Sequence, residues 1–349
     1  MWRVGQRAVW GRDAKGLMAL LGLSLLGTVR ALRGEMLPEG WLPAVSPELE
    51  RLSGWVIFSL LAGAHALRRG GGWPDRRRAA RAVLVGLLVG LLLVPLAGMG
   101  RARDVSLLAL IPFLCLELRP HFRLADGRAG NGHRVAALAC FGGAALVYPL
   151  PRFSTLSDGV AVGLALLAVG SLAGLSCLAA VELNGAGKRE RGSFVAIASV
   201  TATLAQMLMW SVKAEFFVRA AKPGWPMHSA HGWWPTWALW TVCEELPAVW
   251  LLWWVVARLS AAQAATRFVI GPLLTVVVGT LLAQAGLSAE AWFGLAMMGA
   301  GSGVLLLARD EPEEPQRLAL EDDVSGAESS STLGSISGKW GSGKWGSGK

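Results

Sequence analysis

The chain has 349 residues, of which 53% are hydrophobic and only 16% charged, with a formal net charge of +9. Soluble domains carry about 25% charged residues, so the composition excludes an ordinary soluble domain. The basic excess lies in short loops between apolar runs, which excludes a nucleic-acid patch as its main reason. The four cysteines, Cys115, Cys140, Cys177 and Cys243, fall inside apolar stretches with no CxxC pair. That pattern argues against a disulfide framework and against a zinc site.

A bilayer core asks for roughly 20 apolar residues per helix. In chain order, runs of about that length are expected at 16–34, 53–68, 80–99, 104–120, 134–151, 158–181, 193–215, 235–257, 267–285 and 290–308. The expected fold is therefore an all-α integral membrane protein with ten transmembrane helices. The first run has no convincing cleavage site and reads as helix 1 rather than a signal peptide. Residues 1–15 read as a cytoplasmic N-terminus. Residues 310–349 change character: Asp310 to Asp323 is acidic, the rest is rich in Gly and Ser, and the end repeats Ser-Gly-Lys-Trp-Gly. Such a tail cannot bury a core and is expected to be disordered and cytoplasmic.

Lys and Arg accumulate on alternate loops. One side holds 19, including Arg3, Arg7, Arg76, Arg77, Arg78, Arg128, Lys188 and Arg258; the other holds 9, including Arg30, Arg33, Arg51 and Lys213. The positive-inside rule puts the richer side in the cytoplasm. An even number of spans then leaves both termini there, and the bacterial inner membrane is the expected location.

Ten spans divide into five and five. Each half closes with a proline-bearing helix followed by a glycine-rich one: Pro112 then Gly142-Gly143, and Pro272 then Gly294, Gly299, Gly301 and Gly303. Proline frees a carbonyl and permits a kink; glycine permits close helix approach. The recurrence points to two five-helix repeats, 16–156 and 157–309. An odd number of spans per repeat inverts one against the other.

The stretch from Leu252 to Thr266, with Trp253-Trp254, Ala257-Arg258-Leu259 and Ala261-Ala262-Gln263-Ala264-Ala265, runs on to Gly271-Pro272 and Gly279. With Leu287-Ser288, Gly294 and Gly301, it resembles the drug/metabolite transporter superfamily, in particular the EamA-type ten-helix members. The likeness covers about 16–308 and is carried mainly by the last three helices. It implies two inverted five-helix repeats, a central site between them, and transport by alternating access. In one place the chain departs: where that family has a Gly-Glu-Arg step before its last helix, this chain has Gln284-Ala285-Gly286.

Ionisable residues inside spans are costly and mark pathways by default. Glu244 and Glu245 stand mid-way along the eighth run, just before Pro247. Neighbours on an α-helix point about 100° apart, so at least one is expected to face the interior, either as a proton or cation site or as a structural partner of a basic residue. Arg30 near the outer end of the first run and Gln206 in the seventh are further pathway candidates. Trp237 and Trp240 belong to a tryptophan cluster that serves equally as an interfacial belt or as the wall of a pocket. Pro112, Pro272, Gly294 and Gly301 are expected to act in kinking and packing. His228 and His231 are three apart but lack a third ligand, so no metal is expected. Adjacent glutamates also occur in CAAX-type intramembrane proteases, but the arginine expected four residues on is Val249 here and the histidines are missing.

No nucleotide-binding or hydrolase motif occurs, so neither enzymatic activity nor a cofactor is expected. The expected function is a secondary transporter, an exporter of a small metabolite. The rival is an integral membrane enzyme or accessory protein acting on lipid. The expected partners are a small-molecule substrate and the bilayer, with a homodimer left open and no nucleic acid.

Overall fold

The computed structural model describes residues 2–36, 47–68, 74–98, 102–122, 130–148, 150, 156–184, 186–220, 233–284 and 286–307. Among them every regular element is helical. The helices are α1 (Trp2–Met36), α2 (Pro47–Arg68), α3 (Arg76–Gly98), α4 (Ala102–Leu108), α5 (Ile111–Leu118), α6 (Asn131–Val147) and α7 (Leu156–Asn184). They continue with α8 (Lys188–Ala220), α9 (Trp233–Trp240), α10 (Leu246–Val256), α11 (Ala261–Ala265), α12 (Arg267–Ala283) and α13 (Ala289–Leu307).

Among the described residues, seven segments are long and apolar enough to cross a membrane: Ala14–Arg33, Val105–Phe122, Asp158–Asn184, Glu190–Ser211, Pro235–Val256, Ala261–Ala283 and Ala289–Leu307. This is the make-up of a helical integral membrane protein. The three other expected runs fall on α2, α3 and α6. Outward faces carry exposed apolar side chains such as Leu60, Leu138, Leu167 and Leu208, as a surface against lipid tails would. Two boundaries differ from expectation. Helix α1 already begins at Trp2, ahead of the run expected at 16–34. Helix α8 runs on to Ala220, past the end of the run expected at 193–215. The expected disordered tail, 310–349, lies outside the described residues.

Small residues set the closest helix approaches, as in other membrane bundles. Gly86 and Gly90 of α3 lie against the carbonyls of Ala198 and Ala202 of α8. On α6 and α13, a Cβ added at Gly143 would come 2.5 Å from the Gly294 carbonyl oxygen, and one at Gly294 would come 2.7 Å from that of Gly143. Gly301 meets Ala136 and Cys140 one step along the same crossing. The main helix pairs are α6 with α13, α3 with α8, α2 with α8, α1 with α12 and α10, α7 with α5 and α3, α2 with α10, and α5 with α11. Helix α7 also packs on α10 and α11.

Several helices are interrupted, and local chemistry explains where. Between α4 and α5 the chain makes a turn at Ala109 and Leu110, and Pro112 stands in the first turn of α5, where its missing N–H costs nothing. Helix α11 is started by Ser260, whose hydroxyl accepts the Gln263 N–H while the Gln263 side chain accepts the Ser260 N–H. It breaks from α12 at Thr266. Pro272 lies inside α12 without ending it, and its carbonyl accepts the Tyr148 hydroxyl at 3.1 Å. Helix α12 ends on Gln284 at φ 48°, a left-handed position that glycine occupies more cheaply.

Candidate functional site

Between α9 and α10 the chain makes a π-helical turn, Thr241–Glu245, in which the Leu246 N–H reaches back to the Thr241 carbonyl. Pro247 follows immediately. A proline ring crowds the carbonyl four residues back and has no N–H to give it, and a widened turn is a common way to absorb that conflict. The consequence alters the expectation for Glu244 and Glu245. In an α-helix they would diverge; in the slower-winding π-turn both are buried and both face α1.

Helix α1 supplies the partners. Arg30 and Arg33 are three residues apart and share a face. Arg30 Nη2 lies 2.5 Å from Glu245 Oε1, and its Nε lies 3.9 Å from Glu244 Oε1. Arg33 reaches Glu244 Oε2 at 3.4 Å and, through its other terminal nitrogen, Glu50 Oε2 at 2.7 Å. Glu50 stands in the first turn of α2 and is wholly buried. Its burial pushes the carboxyl up from its usual range, against the opposing pull of Arg33. The Arg33 guanidinium also lies over the Trp240 ring, 5.5 Å from its centre. Gly54, one turn along α2 from Glu50, lets the helix close on Glu245: a Cβ there would stand 2.5 Å from that of Glu245.

The group holds three carboxylates against two guanidiniums. Among the described residues it therefore has one carboxylate more than its arginines neutralise, and Glu50 Oε1 and Thr241 Oγ1 are buried without a hydrogen-bond partner there. Chemically it can accept a proton or a cationic group. Of the residues expected from the sequence, the structure brings together Glu244, Glu245, Arg30 and Trp240. Trp237 lies one turn earlier on α9, half-buried. Gln206 is buried on α8, with its amide nitrogen unsatisfied. Pro112, Pro272, Gly294 and Gly301 sit at the breaks and crossings above, apart from the charges. Glu50 and Arg33 were not among the expected site residues. Glu50 escaped because it precedes the apolar run of α2, and only its reach back to α1 gives it away.

A second ionic group, partly buried, joins α3, α7 and α8. Glu182, near the C-terminal end of α7, is held by Arg81 and, at 3.3 Å, by Arg78. Arg78 also binds Glu190, in the first turn of α8, at 2.6 Å. Glu182 is buried, whereas Arg81 and Glu190 are half exposed.

No family model matches this chain, and no curated protein does. Solved structures do: one described only as "Crystal structure of protein" superposes with a TM-score of 0.58 at 15% identity, over 86% of this chain and 100% of that one. At that identity the likeness is one of fold alone.

Proposed function

We propose that the chain is a secondary transporter of the EamA type: ten spans in two inverted five-helix repeats, moving a small metabolite across the bacterial inner membrane by alternating access. One observation carries this reading. Let the first repeat be α1, α2, α3, α4–α5 and α6, and the second α7, α8, α9–α10, α11–α12 and α13. Exchanging the repeats returns most of the main helix pairs. Pairing α1 with α12 becomes α7 with α5; α1 with α10 becomes α7 with α3; α3 with α8 becomes α10 with α2. The pairs α2 with α8, α6 with α13 and α5 with α11 map onto themselves. Helix α7 departs from the exchange, packing on α10 and α11 more extensively than α1 packs on α3 and α4.

Two further features agree. The fourth member of each repeat is broken, at Ala109–Leu110 and at Thr266, and interrupted helices in corresponding places are the usual mark of a transporter's central site. The Lys and Arg bias supports cytoplasmic termini, and it sharpens once Arg30 and Arg33 are seen to be neutralised inside the bundle rather than lying in a loop.

The test is flux into proteoliposomes from a panel of small metabolites, with and without a proton gradient. The expected result is saturable, gradient-sensitive uptake of some compounds that Glu244→Gln abolishes while expression persists. Topology reporters after residues 75, 125 and 187 should read cytoplasmic, and those near 44 and 225 external. A cytoplasmic reading at 225, or lipid turnover without flux, would overturn the proposal.

A further inference from the structure

The two ionic groups occupy equivalent places under the exchange of halves. The first joins α1, the π-turn before α10, and the first turn of α2. Exchange sends those elements to α7, α3 and the first turn of α8, which are the elements the second group joins. In each group one arginine bridges two carboxylates. In the first group Arg33 bridges a glutamate of the π-turn to Glu50 at the start of α2. In the second, Arg78 bridges Glu182 of α7 to Glu190 at the start of α8. The signs on the main helix pair are swapped, α1 contributing arginines where α7 contributes a glutamate, and the bridging arginine moves with them, from α1 in the first group to α3, the counterpart of the π-turn, in the second. Packing alone gives no reason for an ionic cluster around a buried carboxylate at both of these places, since burying charge is costly wherever it happens.

We propose that these groups are paired latches, one closing each end of the central pathway. Arg30, Arg33, Glu50, Glu244 and Glu245 close the outer end; Arg78, Arg81, Glu182 and Glu190 close the cytoplasmic end. This rests on the transport reading for its purpose, but not for its geometry. The topology from Lys and Arg puts the C-terminal end of α1 outside and that of α7 inside, so the latches lie at opposite ends of the bundle. Both are made in this structure, which is the arrangement of an occluded protein. Opening either end requires separating α1 from the π-turn or α7 from α3, and the latch is what resists that separation. Between them, at the self-mapped crossing of α2 and α8, Ser59 and Thr203 share a buried hydrogen bond of 2.8 Å. That polar spot lies where a pathway open to either side would lead.

Sided labelling tests this without a substrate. Cys115, Cys140, Cys177 and Cys243 are replaced, Ser59→Cys is introduced, and a membrane-impermeant maleimide is applied from one side at a time, using inside-out and right-side-out vesicles. Glu182→Gln should raise the labelling rate severalfold from the cytoplasmic side and leave or lower it from outside. Arg78→Gln with Arg81→Gln breaks the same latch from the other helix and should do the same. Glu244→Gln with Glu245→Gln should reverse the sidedness. Equal increases from both sides would mean general loosening and would overturn the latches, as would no change in any variant that inserts normally. Sided opening in a protein with no flux on any compound would retain the latches and remove the transport reading; flux without sided opening would do the opposite.

Discussion

The two ionic groups join equivalent helices but differ in their solvent. At the outer group, Arg33 and Glu244 keep under a tenth of their side-chain surface exposed and Glu50 none. At the cytoplasmic group, Arg81 is 53% and Glu190 51% exposed, with only Glu182 dry at 4%. Exposed pairs are worth about 0–1 kcal/mol and are screened by salt, with a Debye length of about 10 Å at 0.1 M. Removing one partner from a buried pair instead costs about 3–5 kcal/mol, because a charge is stranded out of water. Ion pairs on equivalent helices therefore set a stiff contact at one end and a yielding one at the other.

The largest expected effect breaks the dry group. Arg33→Met strands Glu50 and leaves Glu244 on Arg30 alone, so a loss of about 3–5 kcal/mol is expected. Thermal melts in detergent should show it undiminished at high salt; a loss that vanished at high salt would mean the cluster is wetter than its burial suggests. Gly54→Leu attacks the same group sterically, since the new side chain must displace Glu245. Overpacking of this kind costs about 1–3 kcal/mol, and the melt should fall without any change in its salt dependence. At the wetter group Arg81 is half exposed and Arg78 still holds Glu182, so Arg81→Gln should cost about 1 kcal/mol, well below Arg33→Met. Its melt should converge on the parent's in high salt, and a persistent gap would refute the contrast. The smallest effect calibrates the scale away from both groups. Gln284→Gly relieves a left-handed residue and should stabilise by roughly 0.5–1 kcal/mol, seen as a small rise in melting temperature.

These contrasts show what could be read in the chain beforehand. Glu244 and Glu245 stood out because charge in an apolar run is rare. That both face inward could not be read, because it depends on a π-turn imposed by Pro247 two residues further on. Glu182 and Glu50 lie at the edges of apolar runs, where a carboxylate usually meets water. Their burial comes from helices distant in the chain, Arg81 being 101 residues from Glu182. The glycines of α13 were legible as packing residues, but not that Gly294 pairs with Gly143, since a crossing point is a property of two helices and not of either sequence.

That crossing has a consequence for how the chain tolerates variation. With each glycine's missing Cβ pressed against the other's carbonyl, either Gly143→Ala or Gly294→Ala must move the backbones of α6 and α13 apart. Once one methyl group has separated them, the second enters space already opened. The double substitution should then cost less than the sum of the two singles, a non-additivity expected of residues in direct contact. The two positions are thus one genetic unit: a lineage that loses either glycine has removed much of the reason to keep the other.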